Sequence, residues 1–551
     1  MLRSPARHTL LEPGRNCWQR GSVSQTGLLV DGCDYYRAFY HAAKAAEHYI
    51  LIFGWQFDSG TALLRGADAE QADGKIHLLE FLNELCERKP ELHIYMLAWD
   101  YSMLYGLDRE WFQDWHFNWS TNERLKFCYD RGEAFDASHH QKFVVIDGNV
   151  SFVGGIDLCA SRWDGRDHRP DNPLRVNFDG SSYRTFHDLQ SYHSGPVVRH
   201  LAELFKQRWS TVCGDCLDLA VANDEPAHPL LIDCGLPLAT DRIAISRTEV
   251  CQRRSGEKPI LEIRQLFLDA IDAAERLIYI ENQYCSSEAL CDALVERMRQ
   301  HWRKRLEIVL VIAKDAEAFL EQLSIGIAQS RIIRRLKEVA AETGHSFGIY
   351  YPVSIAADGT EMATYIHSKL LLVDDRFLSI GSANMNNRSM GYDTELNVAW
   401  DDVPGSTLSR SIRAARVNLL AEHTGLDGQA CERLGTAAGL VNYLNGLADS
   451  GKTRLRHHPT RSLSEEYLWL TTLFPNGLPF DAEIARESND KPHDCATGSF
   501  ISKSLNSLSR WFGAWGASGE AKVATAENAA GKGTDGKAAD LAEGKAAAGN
   551  L

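Results

Sequence analysis

The sequence predicts an α/β chain of two pseudo-symmetric lobes, and three observations carry that prediction. Two stretches repeat one pattern, His140-Gln141-Lys142-Phe143-Val144-Val145-Ile146-Asp147 and His367-Ser368-Lys369-Leu370-Leu371-Leu372-Val373-Asp374. Each reads H-x-K, four residues, then D, and each is followed at the same distance by a small-residue turn, Gly154-Gly155-Ile156-Asp157 and Gly381-Ser382-Ala383-Asn384. The two histidines lie 227 positions apart, and far upstream Ala45-Ala46-Glu47-His48 parallels Ala273-Ala274-Glu275-Arg276 at an offset of 228. Near-equal offsets at both ends of a long segment indicate a duplicated domain.

Within each copy, helical and strand patterns alternate, the mark of a sheet with covering helices. Residues 1–25 read as a lead-in loop, and the first lobe as 26–213. It opens with an amphipathic helix from Asp31 to His48 (Tyr36, Phe39, Tyr40 and Ala43 at helical spacing) that runs into the apolar strand Tyr49 to Phe53. A helix over Ile76 to Cys86, a strand over Leu92 to Leu97 and an aromatic-rich stretch over 99–119 follow. The run Phe143 to Ile146 suits a buried strand, turned at Asp147 into a second strand, Val150 to Val153. A helix from Pro196 to Trp209 closes the lobe. Residues 214–240, acidic and then Pro-containing, read as a linker. The second lobe, 241–430, repeats the order with strands at Leu306 to Val311 and Arg376 to Ile380 and a closing helix at Leu408 to Glu422. Residues 431–515 fall outside the repeat, and 516–551, nearly devoid of large apolar residues, read as a disordered tail.

On a strand the His and Lys of H-x-K, two apart, project from the same face. Polar groups beside an apolar run need a partner when buried. The pattern therefore brings together an imidazole, an ammonium and a carboxyl or amide group, twice over. Glycine and serine after the second strand let the backbone approach a ligand closely.

These stretches resemble the paired HKD motifs of the phospholipase D superfamily. The flanks Gly154 to Leu158 with Arg162-Trp163-Asp164, Gly381 to Asn384 with Arg388-Ser389-Met390, and Ile280-Glu281-Asn282-Gln283-Tyr284 resemble the phosphatidylcholine-type enzymes, over roughly residues 12 to 425. The resemblance implies two α-β-α sandwich lobes with the active site at their interface. It also implies a phosphohistidine mechanism on the distal phosphodiester of glycerophospholipids, releasing phosphatidate and head-group alcohol. Water is the acceptor, or another alcohol in head-group exchange. His140, Lys142, Asp147, His367, Lys369 and Asp374 are the motif residues, with Asp147 and Asp374 expected to hold the strand turns rather than touch phosphate. By the family's usual order His140 is the nucleophile and His367 the general acid, a choice the symmetric pattern does not make. Asp188 is assigned as orienting carboxylate to the first half and Glu395 to the second, and Asp157, Ser382 and Asn384 as neighbours of the phosphate. No metal or other cofactor is expected, because ammonium and imidazolium groups supply the positive charge. The alternatives are a cardiolipin synthase-like phosphatidyl transfer and, behind it, an HKD-type nuclease.

Composition bounds the choice. At 44% hydrophobic and 24% charged residues this is an ordinary globular chain. Its net charge of −15 gives no broad basic surface, so no nucleic-acid partner is expected. Thirteen scattered cysteines point to a reducing compartment rather than a disulfide scaffold, and Cys213-Gly214-Asp215-Cys216 is a lone C-x-x-C. Neither a secretory signal nor a run long enough to span a bilayer is visible, which places the protein in the cytoplasm or peripherally on a membrane. Gly446 to Thr453 matches a Walker A string but lacks the preceding strand that a P-loop needs. Phe500 to Trp515 has the apolar spacing of an interfacial helix or of one docked on the body.

Overall fold

The computed structural model describes residues 9–100, 117–118, 121–130, 137–220, 230, 232–249, 258–315 and 319–459. The chain divides into two units, Met1–Ile484 and Ala485–Leu551, and every described residue lies in the first. Most of the 99–119 aromatic stretch, the 500–515 segment and the 516–551 tail fall outside the described residues.

Two sheets repeat one another strand by strand. In the first, the order is Gln25–Val30, Leu189–Ser194, Val150–Gly154, Phe143–Ile146, Tyr49–Gly54, His93–Trp99, Leu125–Asp130. In the second it is Arg242–Glu249, Glu395–Asp401, Phe377–Gly381, Lys369–Val373, Leu277–Asn282, Glu307–Ile312, Ser346–Ile355. The last three strands of each series run parallel to one another, and the motif strand pairs antiparallel to the first of them.

The lead-in and the linker take part in the sheets. Gln19–Ser22, just ahead of the first lobe's opening strand, pairs antiparallel with Arg242–Glu249 of the second sheet. Leu236–Pro237, just ahead of the second lobe's opening strand, pairs with Gln25–Val30 of the first. The lobes thus exchange edge strands reciprocally, covering two edges that would otherwise be open. Composition hides this, because each exchanged strand is short and its partner lies more than 200 residues away.

Strand alternation sorts the core. On the first sheet Ile50 and Ile52 pack with the helices Asp31–Ala45 and Leu78–Arg88, while Tyr49, Leu51 and Phe53 face inward. On the second, Leu371 and Val373 pack with the helices Glu262–Ala273 and Glu288–Arg299, and Leu370 and Leu372 face inward. The inward residues of both sheets and the helices Val198–Cys213 and Thr407–Thr424 share one apolar cluster, which fixes the lobes against each other. Gly214 of the C-x-x-C caps the first of these helices in the left-handed region (φ 70°), a position that suits glycine. The helix Leu440–Ser450 stands where a P-loop would need a strand.

Candidate active site

Both motif strands begin later than the motifs. They span Phe143–Ile146 and Lys369–Val373, so each histidine sits in the extended segment just before its strand. That segment is held by the opposite lobe. The His140 N–H donates to the Thr394 carbonyl (2.9 Å) and the Thr394 N–H to the Ser138 carbonyl (2.9 Å). Symmetrically, Tyr365–Ile366 pairs in parallel with Phe186–His187, and the His367 N–H donates to the His187 carbonyl (2.8 Å).

This cross-lobe pairing corrects the expected carboxylate assignment. His140 Nδ1 donates to Glu395 of the second lobe (3.1 and 3.0 Å to its two oxygens), and His367 Nδ1 donates to Asp188 of the first (2.6 Å). Each carboxylate therefore serves the other lobe's histidine. The reason is local: Thr394 and His187, whose carbonyls hold the histidine segments, immediately precede Glu395 and Asp188. Both carboxylates are fully buried and fix the Nδ1–H tautomer. Neither Nε2 has a hydrogen-bond partner among the described residues. The two imidazoles are close enough that charge on His140 disfavours a proton on His367. The neighbouring His139 belongs to the framework, its pKa pushed down to about 4 by burial and by Arg208.

The lysines are buried beside their histidines. Lys142 pairs with Asp157 (3.2 Å), which also accepts the Trp55 N–H (2.8 Å), so Asp157 positions the ammonium. Lys369 donates to the neutral Gln283 side chain (3.1 Å) and to the His367 carbonyl, and burial pushes its pKa down to about 7 against the pull of Asp188. Asn384 occupies the position equivalent to Asp157 and is buried, its side-chain oxygen without a hydrogen-bond partner among the described residues. Ser382 donates to Glu395 and accepts the Leu396 N–H (3.0 Å), so its hydroxyl braces the carboxylate. Asp147 and Asp374 take left-handed turn conformations (φ 49° and 55°). Asp147 accepts the N–H groups of Glu47, His48 and Tyr49, and Asp374 those of Glu275, Arg276 and Leu277, all at 2.7–2.8 Å. These bonds tie each motif turn to the start of the neighbouring parallel strand.

Burial pushes the Asp188 pKa up to about 6 against the pull of Lys369, and it holds His367 well below the ordinary histidine value with help from Lys369, Arg162 and Lys142. Phe186 and Tyr365 flank the His367 ring (centroids 5.3 and 6.3 Å), whereas Trp55 meets His140 edge-on (6.3 Å).

Behind the histidines lies a buried ionic network that joins the lobes and that motif spacing does not signal. His187 bridges Asp31 (3.0 Å), Glu422 (2.8 Å) and Glu281 (3.0 Å), and His168 bridges Asp164 (3.0 Å) and Glu422 (3.1 Å). Against the cost of burial, Asp31 and its neighbouring carboxylates hold His168 up at about 10 and His187 well above its ordinary value. Asp31, His168, His187 and Glu422 each bring one donor atom within 4.8 Å of the others, and all four residues are buried. The adjacency of His187 to Asp188 was the available sequence hint.

Residues 42–233 match a family model described as phospholipase D, and residues 267–414 one described as cardiolipin synthase, PLD-like domain. Phospholipase D1 of Saccharomyces cerevisiae is 26% identical over 453 residues, covering 68% of this chain and 26% of that protein. Phospholipase D alpha 2 of Oryza sativa subsp. japonica is 26% identical over 536 residues, covering 72% and 65%. The chain thus spans less than two thirds of the length of these relatives. Among solved structures, phosphatidylserine synthase of Haemophilus influenzae Rd KW20 aligns with a TM-score of 0.46 at 14% identity, over 79% of this chain and 95% of that one. With one family match over each lobe and an H-x-K histidine inside each, the chain belongs to the phospholipase D superfamily.

Proposed function

We propose that this protein is a phospholipase D that hydrolyses the distal phosphodiester of glycerophospholipids and also transfers the phosphatidyl group to alcohols. The observation that carries the reading is the crossed pair of imidazoles, each with Nδ1 on a buried carboxylate of the opposite lobe and Nε2 uncommitted. His140 Nε2 attacks phosphorus in line, and the bond to the head-group oxygen breaks as His367 delivers a proton to that oxygen. Water, giving a proton back to His367, then attacks phosphorus and breaks the P–N bond, leaving phosphatidate. An alcohol in place of water gives the exchange product. Lys142, Lys369 and the Asn384 amide face the non-bridging oxygens, whose charge grows toward the transition state.

His367 must carry a proton to act as the acid, yet burial and its cationic neighbours hold it neutral in the empty cleft. The bound phosphate anion supplies the compensating charge, so proton uptake accompanies substrate binding. Among the described residues no helix is long and apolar enough to cross a membrane. Incubation with phosphatidylcholine vesicles, with and without ethanol, and separately with single-stranded DNA, tests the reading. Phosphatidate without ethanol and phosphatidylethanol with it are expected; cleavage of DNA alone would overturn the lipid assignment.

A further inference from the structure

The described residues expose six large apolar side chains, and three of them, Leu174, Val176 and Phe178, fall within five residues. They stand at alternate positions of a tight hairpin closed by the Val176–Ser182 bridge and the Asn177 N–H to Ser181 carbonyl bond (2.8 Å). Leu174 and Phe178 lie in the turns on either side of the extended Arg175–Asn177 segment, and with Val176 between them all three apolar side chains are exposed. The residues between them point inward: Arg175 pairs with Asp164 (3.0 Å), and the Asn177 side chain accepts the Ser161 N–H (2.9 Å). Polar groups are turned in and apolar groups out, the reverse of a sheet packed on a core. The arrangement is built rather than slack, because Arg65 donates to the carbonyls of both Leu174 and Val176. Phe178, at 79% exposure, rests against His77 (centroids 5.6 Å) and the backbone at Gly60, with most of its surface open to solvent.

The hairpin belongs to the first lobe alone. Asp157 and Asp188 are 31 positions apart, whereas their counterparts Asn384 and Glu395 are 11 apart, so the first lobe carries 20 extra residues here. The chain returns from Phe178 directly into Phe186, whose ring flanks His367. The hairpin is thus joined by a short stretch of chain to a residue that flanks the catalytic histidine.

We propose that this hairpin is the membrane-docking element of the protein, with Leu174, Val176 and Phe178 entering the boundary between lipid head groups and acyl chains. A protein partner fits the surface less well. A stable protein interface takes about 800 Å² from each side, and three side chains on a narrow hairpin offer far less. Insertion into a lipid boundary requires no matching surface, only an apolar tip held on a firm base. The choice of lipid as occupant rests on the phospholipase D reading.

Sedimentation of the full chain with phosphatidylcholine–phosphatidylglycerol vesicles tests the docking directly. Phe178→Asp is expected to reduce partitioning onto vesicles by roughly tenfold or more, while Phe178→Leu stays within about twofold of the parent. Hydrolysis of a short-chain phosphatidylcholine kept below its micellar concentration is expected to be equal in all three proteins, which also shows that the variants fold. If Phe178→Asp sediments with vesicles as the parent does, the docking role is wrong, whatever the lipid activity. If vesicle binding depends on Phe178 but no phospholipid is cleaved, the docking role stands and the catalytic reading falls.

Discussion

The first lobe gives its lysine a carboxylate and the second gives its lysine an amide: Lys142 lies against Asp157, and Lys369 against Gln283, with Asn384 where the first lobe has Asp157. The burial of the histidines differs in step. His367 is enclosed by Phe186 and Tyr365 and held neutral, whereas the His140 side chain keeps 15% of its surface exposed. Duplication made two half-sites of the same geometry, and substitutions around them made the charges unequal. A two-step displacement needs one imidazole unprotonated while the other carries the proton, so with His367 as the acid the bound phosphate has to reverse the bias that burial gives it.

The largest effects separate the two imidazoles. His140→Ala and His367→Ala are each expected to lower phosphatidylcholine turnover by at least about 10³-fold while leaving the circular dichroism spectrum unchanged. A p-nitrophenyl phosphodiester, whose leaving group needs no acid, breaks the symmetry between them. It should restore the initial burst of p-nitrophenol in His367→Ala, whose later turnover still lacks the base for water, and restore nothing in His140→Ala. The opposite pattern would exchange the two roles.

Next come the crossed carboxylates. Asp188→Asn and Glu395→Gln keep shape but lose the charge that fixes the Nδ1–H tautomer, and about 10²–10⁴-fold in kcat is expected from each. Because Asp188 holds His367, its variant should keep the burst on the p-nitrophenyl substrate, as His367→Ala does, whereas Glu395→Gln should not. Were each carboxylate to serve the histidine of its own lobe, that pattern would invert. Gly155→Ser belongs here as well: a Cβ at residue 155 lies 2.4 Å from an Asp188 oxygen, so the carboxylate must move, and a loss approaching that of Asp188→Asn is expected.

The pH dependence sharpens the contrast between the lysines. Lys369, near 7, is depressed in the empty cleft, and a bound anion raises its proton affinity along with that of His367. Binding of inorganic vanadate should therefore take up protons, and its affinity should fall as pH rises above about 7. Calorimetry in two buffers of different ionisation enthalpy measures that uptake. At the acid end Asp188, raised to about 6, must be ionised to accept the His367 N–H, so kcat should decline as pH falls through about 6. In Lys369→Arg the alkaline fall in vanadate affinity should move upward, since a guanidinium stays charged.

How much of this was legible in the sequence depends on separation along the chain. The motif strands, their turn aspartates and the helices at 31–45 and 407–424 follow from local apolar spacing, and the structure places them within a few residues of expectation. The two lobes were legible because the repeat keeps its offset. The exchanged edge strands were not, because a four-residue strand such as Gln19–Ser22 has no pattern of its own and exists through its distant partner. The crossing of Asp188 and Glu395 was hidden for the same reason: both residues could be picked out, but which histidine each holds is decided by backbone pairing between lobes. The ionic network around His187 unites residues from positions 31 to 423 that share no motif.

The smallest expected effect tests how the two carboxylates are supported. In the first lobe Asp188 takes the Leu189 N–H directly (2.7 Å), with Gly155 leaving room; in the second the longer Glu395 is reached through the Ser382 hydroxyl, which also accepts the Leu396 N–H. Removing that hydroxyl in Ser382→Gly leaves Glu395 still bonded to His140 and Gln141 near the Glu395 carbonyl (3.3 Å), so the loss is one hydrogen bond to a charged group, about 1.5–3 kcal/mol before relaxation. Water entering the space left by the side chain recovers part of it, and a fall in kcat of about tenfold is expected, with KM little changed. The double variant Ser382→Gly, Glu395→Asp rebuilds in the second lobe the short-acid, glycine-backed arrangement of the first. If the two arrangements are equivalent solutions, the double variant is faster than Glu395→Asp alone. If it is slower, the serine contributes more than a brace for the longer carboxylate.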